Sequence, residues 1–183
     1  MITVVTKNKN KVSEISSFFS GIVDISHINL DCIEPQANTV EEIASYKAKY
    51  AYEKLKTPVI VDDTGLFIDV LSGFPGPYAS YVQDTIGNKG ILKIMNGIEN
   101  RHAYFKTAIA YVDSSGVFVF TGRLDGEISH IEHGSYGFGY DPIFSVCDGK
   151  TLSDLTINEK NCISHRARAL FAFKSWYMSH KLS

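Results

Sequence analysis

The sequence has few cysteines and no long apolar run, and both absences exclude classes of protein. Its three cysteines, Cys32, Cys147 and Cys162, are widely spaced and form no CxxC pair. This pattern argues against a disulfide framework or a zinc site and favours reduced thiols with structural roles. No apolar run approaches the roughly 18–20 residues that a membrane span needs, and the first residues lack the apolar region of a signal peptide. We therefore expect a cytoplasmic protein without a membrane partner.

The sequence also lacks a strong charge of either sign. A formal net charge of -2 over 183 residues gives no general attraction to DNA, RNA or acidic membranes, so we expect no nucleic-acid partner. Apolar residues make up 44% of the chain and charged residues 21%, which is ordinary for a globular domain and excludes disorder and a coiled coil. A polyanionic ligand would have to be bound by a local cluster of basic residues.

Short β-branched runs alternate with helical periodicity in the first third of the chain. Residues 2–6 and 22–28 predict strands, with a helix between them. The string Thr39-Val40-Glu41-Glu42 has the form of a capping box and predicts a helix from Thr39 to about Lys56. Val59-Ile60-Val61 predicts a short buried strand that ends at Asp62-Asp63.

The second half of the chain is rich in β-forming residues. Residues 103–113 and 117–123 predict a hairpin, followed by a separate strand at 126–131 and a last helix over about 164–180. This alternation predicts an α/β fold with a mixed central sheet and flanking helices. No linker separates the halves, so we expect a single domain over residues 1–183 with two lobes around a cleft, which is the natural ligand site.

The first candidate binding element is a basic loop between the first strand and the first helix. It contains Thr6, Lys7, Asn8, Lys9, Asn10 and Lys11. A strand-to-helix turn directs free N–H groups and the positive end of the helix dipole at one point, which favours an anion. The loop lacks the spacing of a P-loop, and a solvated basic loop without a ligand is the alternative.

The second candidate is the acidic string Asp62-Asp63-Thr64, placed directly after a buried strand. Ligands in α/β proteins usually bind at the carboxyl ends of strands. Adjacent carboxylates stay ionised most easily beside a cation, and Mg²⁺ prefers one or two carboxylates together with substrate phosphates. Glu34 is a possible further carboxylate from a separate loop. The alternative is an acidic pair that only caps a turn.

The third candidate is a segment in which glycines alternate with aromatic residues. It contains Phe138, Gly139, Tyr140 and Asp141. Glycine lets the backbone approach a ligand closely, and the aromatic rings offer stacking faces that are worth about 1–3 kcal/mol per nucleobase. The alternative is a turn packed with core aromatic side chains.

The fourth candidate is Lys160 together with Ser164, His165 and Arg166 near the start of the last helix. Basic residues in a first helical turn oppose the helix dipole unless an anion neutralises them, and this conflict indicates a ligand. Arg166 suits bidentate contact with a phosphate, whereas Lys160 suits a point-charge contact.

These segments, in this order, resemble the inosine triphosphate pyrophosphatase family over a stretch from Thr6 to about Ala169. The strings that carry the resemblance are Thr6-x-Asn8-x-x-Lys11-x-x-Glu14, Asp62-Asp63-Thr64-Gly65-Leu66, Phe74-Pro75-Gly76-Pro77-Tyr78, Phe138-Gly139-Tyr140-Asp141-Pro142-Ile143-Phe144 and Glu159-Lys160-Asn161-x-x-Ser164-His165-Arg166. The resemblance implies a Mg²⁺-dependent homodimer that hydrolyses ITP, dITP or XTP to the monophosphate and pyrophosphate. This activity would prevent incorporation of these nucleotides into DNA and RNA.

The resemblance also implies a role for each matching residue. The triphosphate is assigned to Thr6, Lys7, Asn8, Lys9, Asn10, Lys11, Lys47, Lys160 and Arg166. Mg²⁺ is assigned to Glu34 and Asp63, and Asp63 is also the proton acceptor for the attacking water. Whether Asp62 shares the base or metal role, or is only a supporting acid, stays open at the level of sequence. The base is assigned to Phe138, which stacks, and to Gly139, Tyr140, Asp141 and His165 around its edge, while Thr64 touches the ligand.

Two alternatives to this function stay open. A related pyrophosphatase for modified pyrimidine or methylated nucleotides would have a similar fold, although the aromatic segment favours purines. A nucleotide sensor without turnover would bind the ligand and release no pyrophosphate, and the intact pair Glu34 and Asp63 argues against it.

Overall fold

The computed structural model describes residues 1–147 and 149–181, apart from the side chain of Cys147. Cys32 and Cys162 are free thiols, half-buried and exposed respectively, which agrees with the expectation of reduced thiols but does not bear on their structural roles. The expectation for Cys147 lies outside the described part of the chain. None of the described helices is both long and apolar enough to cross a membrane.

Strands and helices alternate along the chain, as the sequence pattern predicts. The strands are β1 (Ile2–Val5), β2 (Ile25–Ile28), β3 (Val59–Ile68), β4 (Pro75–Gly76), β5 (His102–Asp113), β6 (Gly116–Ile128), β7 (Phe144–Cys147) and β8 (Lys150–Thr151). The helices are α1 (Lys9–Phe19), α2 (Val40–Leu55), α3 (Ala79–Thr85), α4 (Gly87–Ile94), α5 (Ile157–Ile163) and α6 (His165–Lys181). Short 3₁₀ turns cover Asp69–Leu71, Asp141–Ile143 and Leu152–Asp154.

The strands form one mixed sheet in the order β2-β1-β3-β5-β6-β7-β8, with β4 paired to β3. Strand β1 runs parallel to β2 and to β3, with Thr3 opposite both Ser26 and Val59. Strand β7 pairs antiparallel with β6 and with β8. The predicted fold class, α/β with a mixed central sheet and flanking helices, is therefore confirmed.

The chain divides into two compact units. The first contains residues 1–63, residues 107–122 and the chain from Arg166 onward, and the second contains residues 64–106 and 123–165. Each unit has a hydrophobic core. The first core includes Ile2, Val4, Ile15, Phe19, Tyr111 and Phe173. The second includes Leu66, Ile91, Met95, Phe105 and Phe144.

Helix α2 begins and ends where the sequence predicts. The hydroxyl of Thr39 accepts a hydrogen bond from the Glu42 N–H at 3.3 Å and donates to the Glu42 carboxylate at 2.8 Å. The helix ends before Lys56, which has a left-handed backbone with φ of 55°. Thr39 is thus the N-cap of α2, as predicted, and it positions the whole helix, including Lys47. The Glu42 carboxylate accepts from the Thr39 hydroxyl and not from the Thr39 N–H, so the reciprocal bond of a capping box is not formed.

The predicted end of β3 at Asp62-Asp63 is wrong, because the strand continues through both acids to Ile68. The residues that follow include Leu66 and Ile68, which are fully buried in the second core. Apolar side chains therefore continue the strand beyond the acids. The separate strand predicted at residues 126–131 is also wrong, since β6 runs without a break from Gly116 to Ile128.

Helices α3, α4 and α5 have no counterpart in the sequence prediction. Each has only 7 or 8 residues, which is too short for an apolar repeat to stand out from its neighbours. All three belong to the second unit, where α4 packs against the 3₁₀ turn that begins at Asp141.

Candidate active site

Asp62 lies at the centre of a network of charged side chains in the first unit. Its side chain is completely buried, and Oδ2 accepts hydrogen bonds from Arg166 Nε at 3.1 Å and from Lys11 Nζ at 3.0 Å. Nη1 of Arg166 donates in turn to Glu14 Oε2 at 2.6 Å. Burial alone would raise the pKa of Asp62, but Lys11 and Arg166 outweigh it and the pKa is lowered. Asp62 is therefore ionised at neutral pH.

The anion that the sequence pattern required beside Arg166 belongs to the protein itself. The guanidinium is buried between the carboxylates of Asp62 and Glu14. Burial acts to lower the pKa of Arg166, and these two acids reverse that effect and raise it. The unfavourable position of Arg166 in the first turn of α6 is thus offset by internal ion pairs, so it does not by itself indicate a ligand.

Asp63 points to a second group of charges in the first unit. Nζ of Lys47 lies 3.4 Å from Asp63 Oδ1 and 3.3 Å from Glu34 Oε1. Burial raises the pKa of Asp63 to about 6, although Lys47 and Lys11 act in the opposite direction. Burial would lower the pKa of Lys47, but Asp63 and Glu34 outweigh it and the pKa of Lys47 is raised.

Oxygens of both acids in β3 are buried and unpaired among the described residues. They are Asp62 Oδ1 and Asp63 Oδ2, neither of which has a hydrogen-bond partner there. A buried carboxylate oxygen without a partner is costly, and a bound cation would remove that cost. The described residues contain no group of three or more His, Cys, Asp or Glu side chains that could hold an ion by themselves. The acids alone therefore do not make a complete Mg²⁺ site. They fit a Mg²⁺ ion whose remaining ligands are substrate phosphates.

The basic loop predicted at residues 6–11 is only partly a loop. Residues 6–8 join β1 to α1, whereas residues 9–11 form the first turn of the helix. Asn8 is the N-cap of α1, and its side chain accepts hydrogen bonds from the N–H groups of Asn10 and Lys11 at 2.9 and 3.3 Å. Lys7 forms an ion pair with Asp31, and Lys9 is exposed. Thr6 is held by its carbonyl oxygen, which lies 2.8 Å from His27 Nε2. The loop thus presents an N-terminal helix end and basic side chains in the first unit.

A buried ion pair organises the second unit. Nζ of Lys160 donates to Asp141 Oδ2 at 2.6 Å, and the two side chains are 7% and 5% exposed. The same oxygen accepts a hydrogen bond from the Phe138 N–H at 2.8 Å. Lys160 Nζ also lies 4.5 Å from the centre of the Phe138 ring, a cation–π distance. Lys160, assigned to the triphosphate from sequence, is thus paired with the residue assigned to the base.

The segment of residues 137–141, here called the aromatic loop, is held by its surroundings at several points. Gly137 has φ of +80°, and a Cβ there would lie 2.3 Å from Asp141 Oδ2, so only glycine fits. The Tyr140 hydroxyl donates to the Ala79 carbonyl oxygen at 2.7 Å, so that hydroxyl is engaged with the fold. The Gly139 carbonyl accepts from Asn88 Nδ2 at 3.1 Å.

His165 and Thr64 complete the predicted residues of the second unit. His165 is buried and stacks on Phe105, with ring centres 4.7 Å apart and an interplanar angle of 26°. Thr64 is half-buried in β3, directly after Asp63.

Two residues of these networks had no assigned role in the sequence analysis. Glu14 was part of a matching string only, although Lys11 and Glu14 share one face of α1 at a spacing of three residues. That spacing could have indicated that both residues belong to one network, in which Lys11 contacts Asp62 and Glu14 contacts Arg166. Asn88 had no signal, because its helix was not predicted and its contact at Gly139 lies 51 residues away.

Comparison with known proteins agrees with the resemblance seen in the sequence. The model of the Ham1 family matches residues 2–176. A dITP/XTP pyrophosphatase of Thermococcus kodakarensis is 45% identical over 178 residues, covering 96% of each chain. One from Methanopyrus kandleri is 48% identical over 161 residues, covering 86% of this chain and 85% of its relative.

Solved structures of Ham1 proteins are also similar to this chain. The Staphylococcus aureus Ham1 protein has a TM-score of 0.86 at 30% identity and covers 99% of this chain and 100% of its own. A HAM1 protein from Coxiella burnetii has a TM-score of 0.87 at 28% identity, with coverage of 97% and 98%. The chain therefore belongs to the Ham1 family.

Proposed function

We propose that this chain hydrolyses the non-canonical purine nucleoside triphosphates ITP, dITP and XTP to the monophosphate and pyrophosphate. Such an activity keeps these nucleotides out of DNA and RNA. The observation that carries the proposal is the buried pair Asp62 and Asp63, bound by Lys11, Arg166 and Lys47. The relatives named dITP/XTP pyrophosphatase, which match nearly the whole chain, supply the substrate class.

The two acids of β3 suit different tasks in this reaction. Asp62 is held ionised by Lys11 and Arg166, which makes it a poor proton acceptor. Without a bound ion, burial raises the pKa of Asp63 to about 6, so Asp63 binds a proton more readily than Asp62 does. A bound Mg²⁺ would lower this pKa. We assign the removal of the proton from the attacking water to Asp63, while Asp62 keeps Lys11 and Arg166 in place.

Glu34 and Asp63 would hold Mg²⁺ in this proposal. The buried, unpaired Asp63 Oδ2 and the half-exposed Glu34 carboxylate provide hard oxygen ligands. When bound, the ion neutralises phosphate charge and helps to align the water and the leaving group. Lys47 contacts both of these acids, and in the complex its ammonium group would turn toward the phosphates. The basic loop and the N-terminus of α1 offer further positive charge.

Base selection is assigned to the second unit. Phe138 provides a face for stacking, and Asp141 and His165 provide polar atoms for the edge of the base. Tyr140 would contribute through its backbone, because its hydroxyl is bound to Ala79. A 6-oxo purine accepts a hydrogen bond where adenine donates one, so a donor at that position rejects adenine by leaving buried groups unpaired.

We further propose a cytoplasmic homodimer. Three aromatic side chains of the second unit, Phe74, Tyr78 and Tyr81, are 41%, 49% and 71% exposed. Exposed aromatic residues in one stretch of chain favour an interface. Sedimentation of the wild type and of a Y81E variant tests this, with the variant expected to shift toward the monomer.

Pyrophosphate release from ITP, dITP, XTP, ATP and GTP, with and without Mg²⁺, tests the function. We expect release from the first three nucleotides in the presence of Mg²⁺, little release from ATP and GTP, and a loss of about 10²–10⁴-fold in D63N, as for removal of a general base. D63N should still bind ITP. Equal rates with ATP and GTP would refute the substrate class, and binding of ITP by the wild type without any pyrophosphate release would identify a sensor instead.

A further inference from the structure

Asn88 is tied to the aromatic loop by a hydrogen bond that no feature of the sequence indicates. It lies in the first turn of α4, and its Nδ2 donates to the Gly139 carbonyl oxygen at 3.1 Å. Helix α4 packs against the 3₁₀ turn that begins at Asp141, so the contact joins two elements of the same unit.

The oxygen of the Asn88 amide is in an unfavourable environment. Its Oδ1 is buried and has no hydrogen-bond partner within residues 1–147 and 149–181. A flipped amide would place that oxygen against the Gly139 carbonyl, so the donating orientation is the favourable one. A buried unpaired acceptor costs at least as much as an ordinary hydrogen bond contributes. Stability therefore does not account for Asn88.

Gly139 is the part of the aromatic loop that most needs an external restraint. Its φ is +63°, a backbone region that glycine adopts readily, and a Cβ there would meet nothing within 4 Å. Gly139 therefore has no side chain whose packing would hold this conformation. Its neighbours are already held, Phe138 through Asp141 and Tyr140 through Ala79. In a trans peptide the carbonyl and the following N–H point in opposite directions. By holding the Gly139 carbonyl, Asn88 also fixes the direction of the Tyr140 N–H.

We propose that Asn88 is a positioning residue for base selection, whose amide holds the Gly139–Tyr140 peptide in the orientation that distinguishes a 6-oxo purine from adenine. This inference rests on the proposed function, because it gives Asn88 a share in the purine selectivity of that site. Discrimination between a carbonyl and an amino group depends on the direction of donors and acceptors in the site. A peptide that is free to flip can present either group and loses that discrimination.

The test compares the ratio of kcat/KM for ITP to kcat/KM for ATP in the wild type, N88A and N88D. N88A removes the donor, and N88D replaces it with a carboxylate that repels the Gly139 carbonyl. We expect the ratio to fall about tenfold in N88A, the factor for one hydrogen bond of ordinary strength, and further in N88D. The fall should come mainly from a higher KM for ITP, and the Tm of N88A should be unchanged or higher.

Gln83 provides the matched control. Its Oε1 is also buried and unpaired among the described residues, and it lies in the neighbouring helix α3. Q83A should therefore show any gain in Tm that N88A shows, but its ratio of kcat/KM for ITP to kcat/KM for ATP should equal that of the wild type. Unchanged ratios in both N88A and N88D would overturn the proposal. The proposal would also be overturned if kcat/KM fell equally for ITP and ATP and the Tm fell as well, because that result would indicate a purely structural role.

Failure of the proposed function gives a different result. In that case the wild type itself would not prefer ITP to ATP, and the inference about Asn88 would fall with it. If the wild type is selective and both Asn88 variants are equally selective, only the role of Asn88 is refuted.

Discussion

Arg166 and Asp62 lie 104 residues apart in the chain and are joined by a buried hydrogen bond of 3.1 Å between Nε and Oδ2. The other side of the same guanidinium donates to Glu14, and Lys11 reaches the same oxygen of Asp62. Each cation of the network is balanced by a carboxylate. Loss of any one member therefore leaves a buried charge uncompensated, and this coupling links the last helix to the acids of β3.

We predict that R166M lowers the free energy of unfolding by about 3–5 kcal/mol, the usual cost of breaking a buried ion pair by removing one partner. The double variant R166M/D62N should recover part of this loss. R166M leaves the network with an excess of negative charge, although Lys11 still contacts Asp62, and D62N removes that excess. Urea unfolding measures both. R168M, at an exposed position two residues along α6, is the control and should change stability by only about 0.5 kcal/mol. Equal effects of R166M and R168M would contradict the buried network.

Asp63 predicts a pH dependence of stability in the absence of Mg²⁺. Its pKa is about 6 in the folded chain and about 3.9 when unfolded, so between these values the folded state binds more protons than the unfolded state. The free energy of unfolding should therefore fall as pH rises from about 4 to 6, by about 3 kcal/mol in total. Urea unfolding of the wild type and of D63N across this range measures the difference, which should disappear in D63N.

The neighbouring acid is the control for this prediction. Because the pKa of Asp62 is lowered in the folded chain, its charge stabilises the fold above the unfolded pKa. At pH 8 without Mg²⁺, D63N should be more stable than the wild type, and D62N should be less stable. Two variants that change stability in the same direction would show that the acids do not have separate roles.

Local chemistry predicted those parts of the fold that depend on local interactions. The Thr39 N-cap defines the start of α2, and the β-branched residues after Met1 define β1. Strand β3 continues beyond Asp63 with Leu66 and Ile68 buried in the second core. The two acids inside the strand are paired with Lys11, Arg166 and Lys47. These three cations come from other elements, and the sequence around the acids does not identify them.

The same distinction applies to the candidate site. The residue types at Asp63, Phe138 and Asp141 could be recognised in the sequence, but their partners could not. That Lys160 pairs with Asp141, and that the Tyr140 hydroxyl binds the Ala79 carbonyl, follows from packing between segments distant in sequence. The roles assigned to these residues stay predictions, and the variants described here test them.

We predict that the stabilising contacts of Asp113, at the end of β5, weaken in acid. Burial would raise its pKa, but hydrogen bonds from Lys181, Ser115 and Tyr111 lower it to about 2. Its charge therefore contributes stability above the unfolded pKa of about 3.9, and this contribution is lost as pH falls toward 2. Thermal unfolding at pH 5 to 2 should show a smaller fall in Tm for D113N than for the wild type. D84N, at an exposed position in α3, should keep the wild-type slope, and an identical slope in D113N would contradict the contact.

Gly137 and Gly139 provide a matched pair of variants for the aromatic loop. Both have positive φ, +80° and +63°, so alanine at either position costs about 1–2 kcal/mol in backbone strain. Only at Gly137 does the added Cβ also meet a buried group, the Asp141 carboxylate at 2.3 Å. That contact forces Asp141 away from Lys160 and the Phe138 N–H. We therefore expect G137A to lose more stability than G139A in urea unfolding and to raise the KM for ITP. Equal losses in the two variants would mean that Asp141 can move without cost, and that it does not hold the loop.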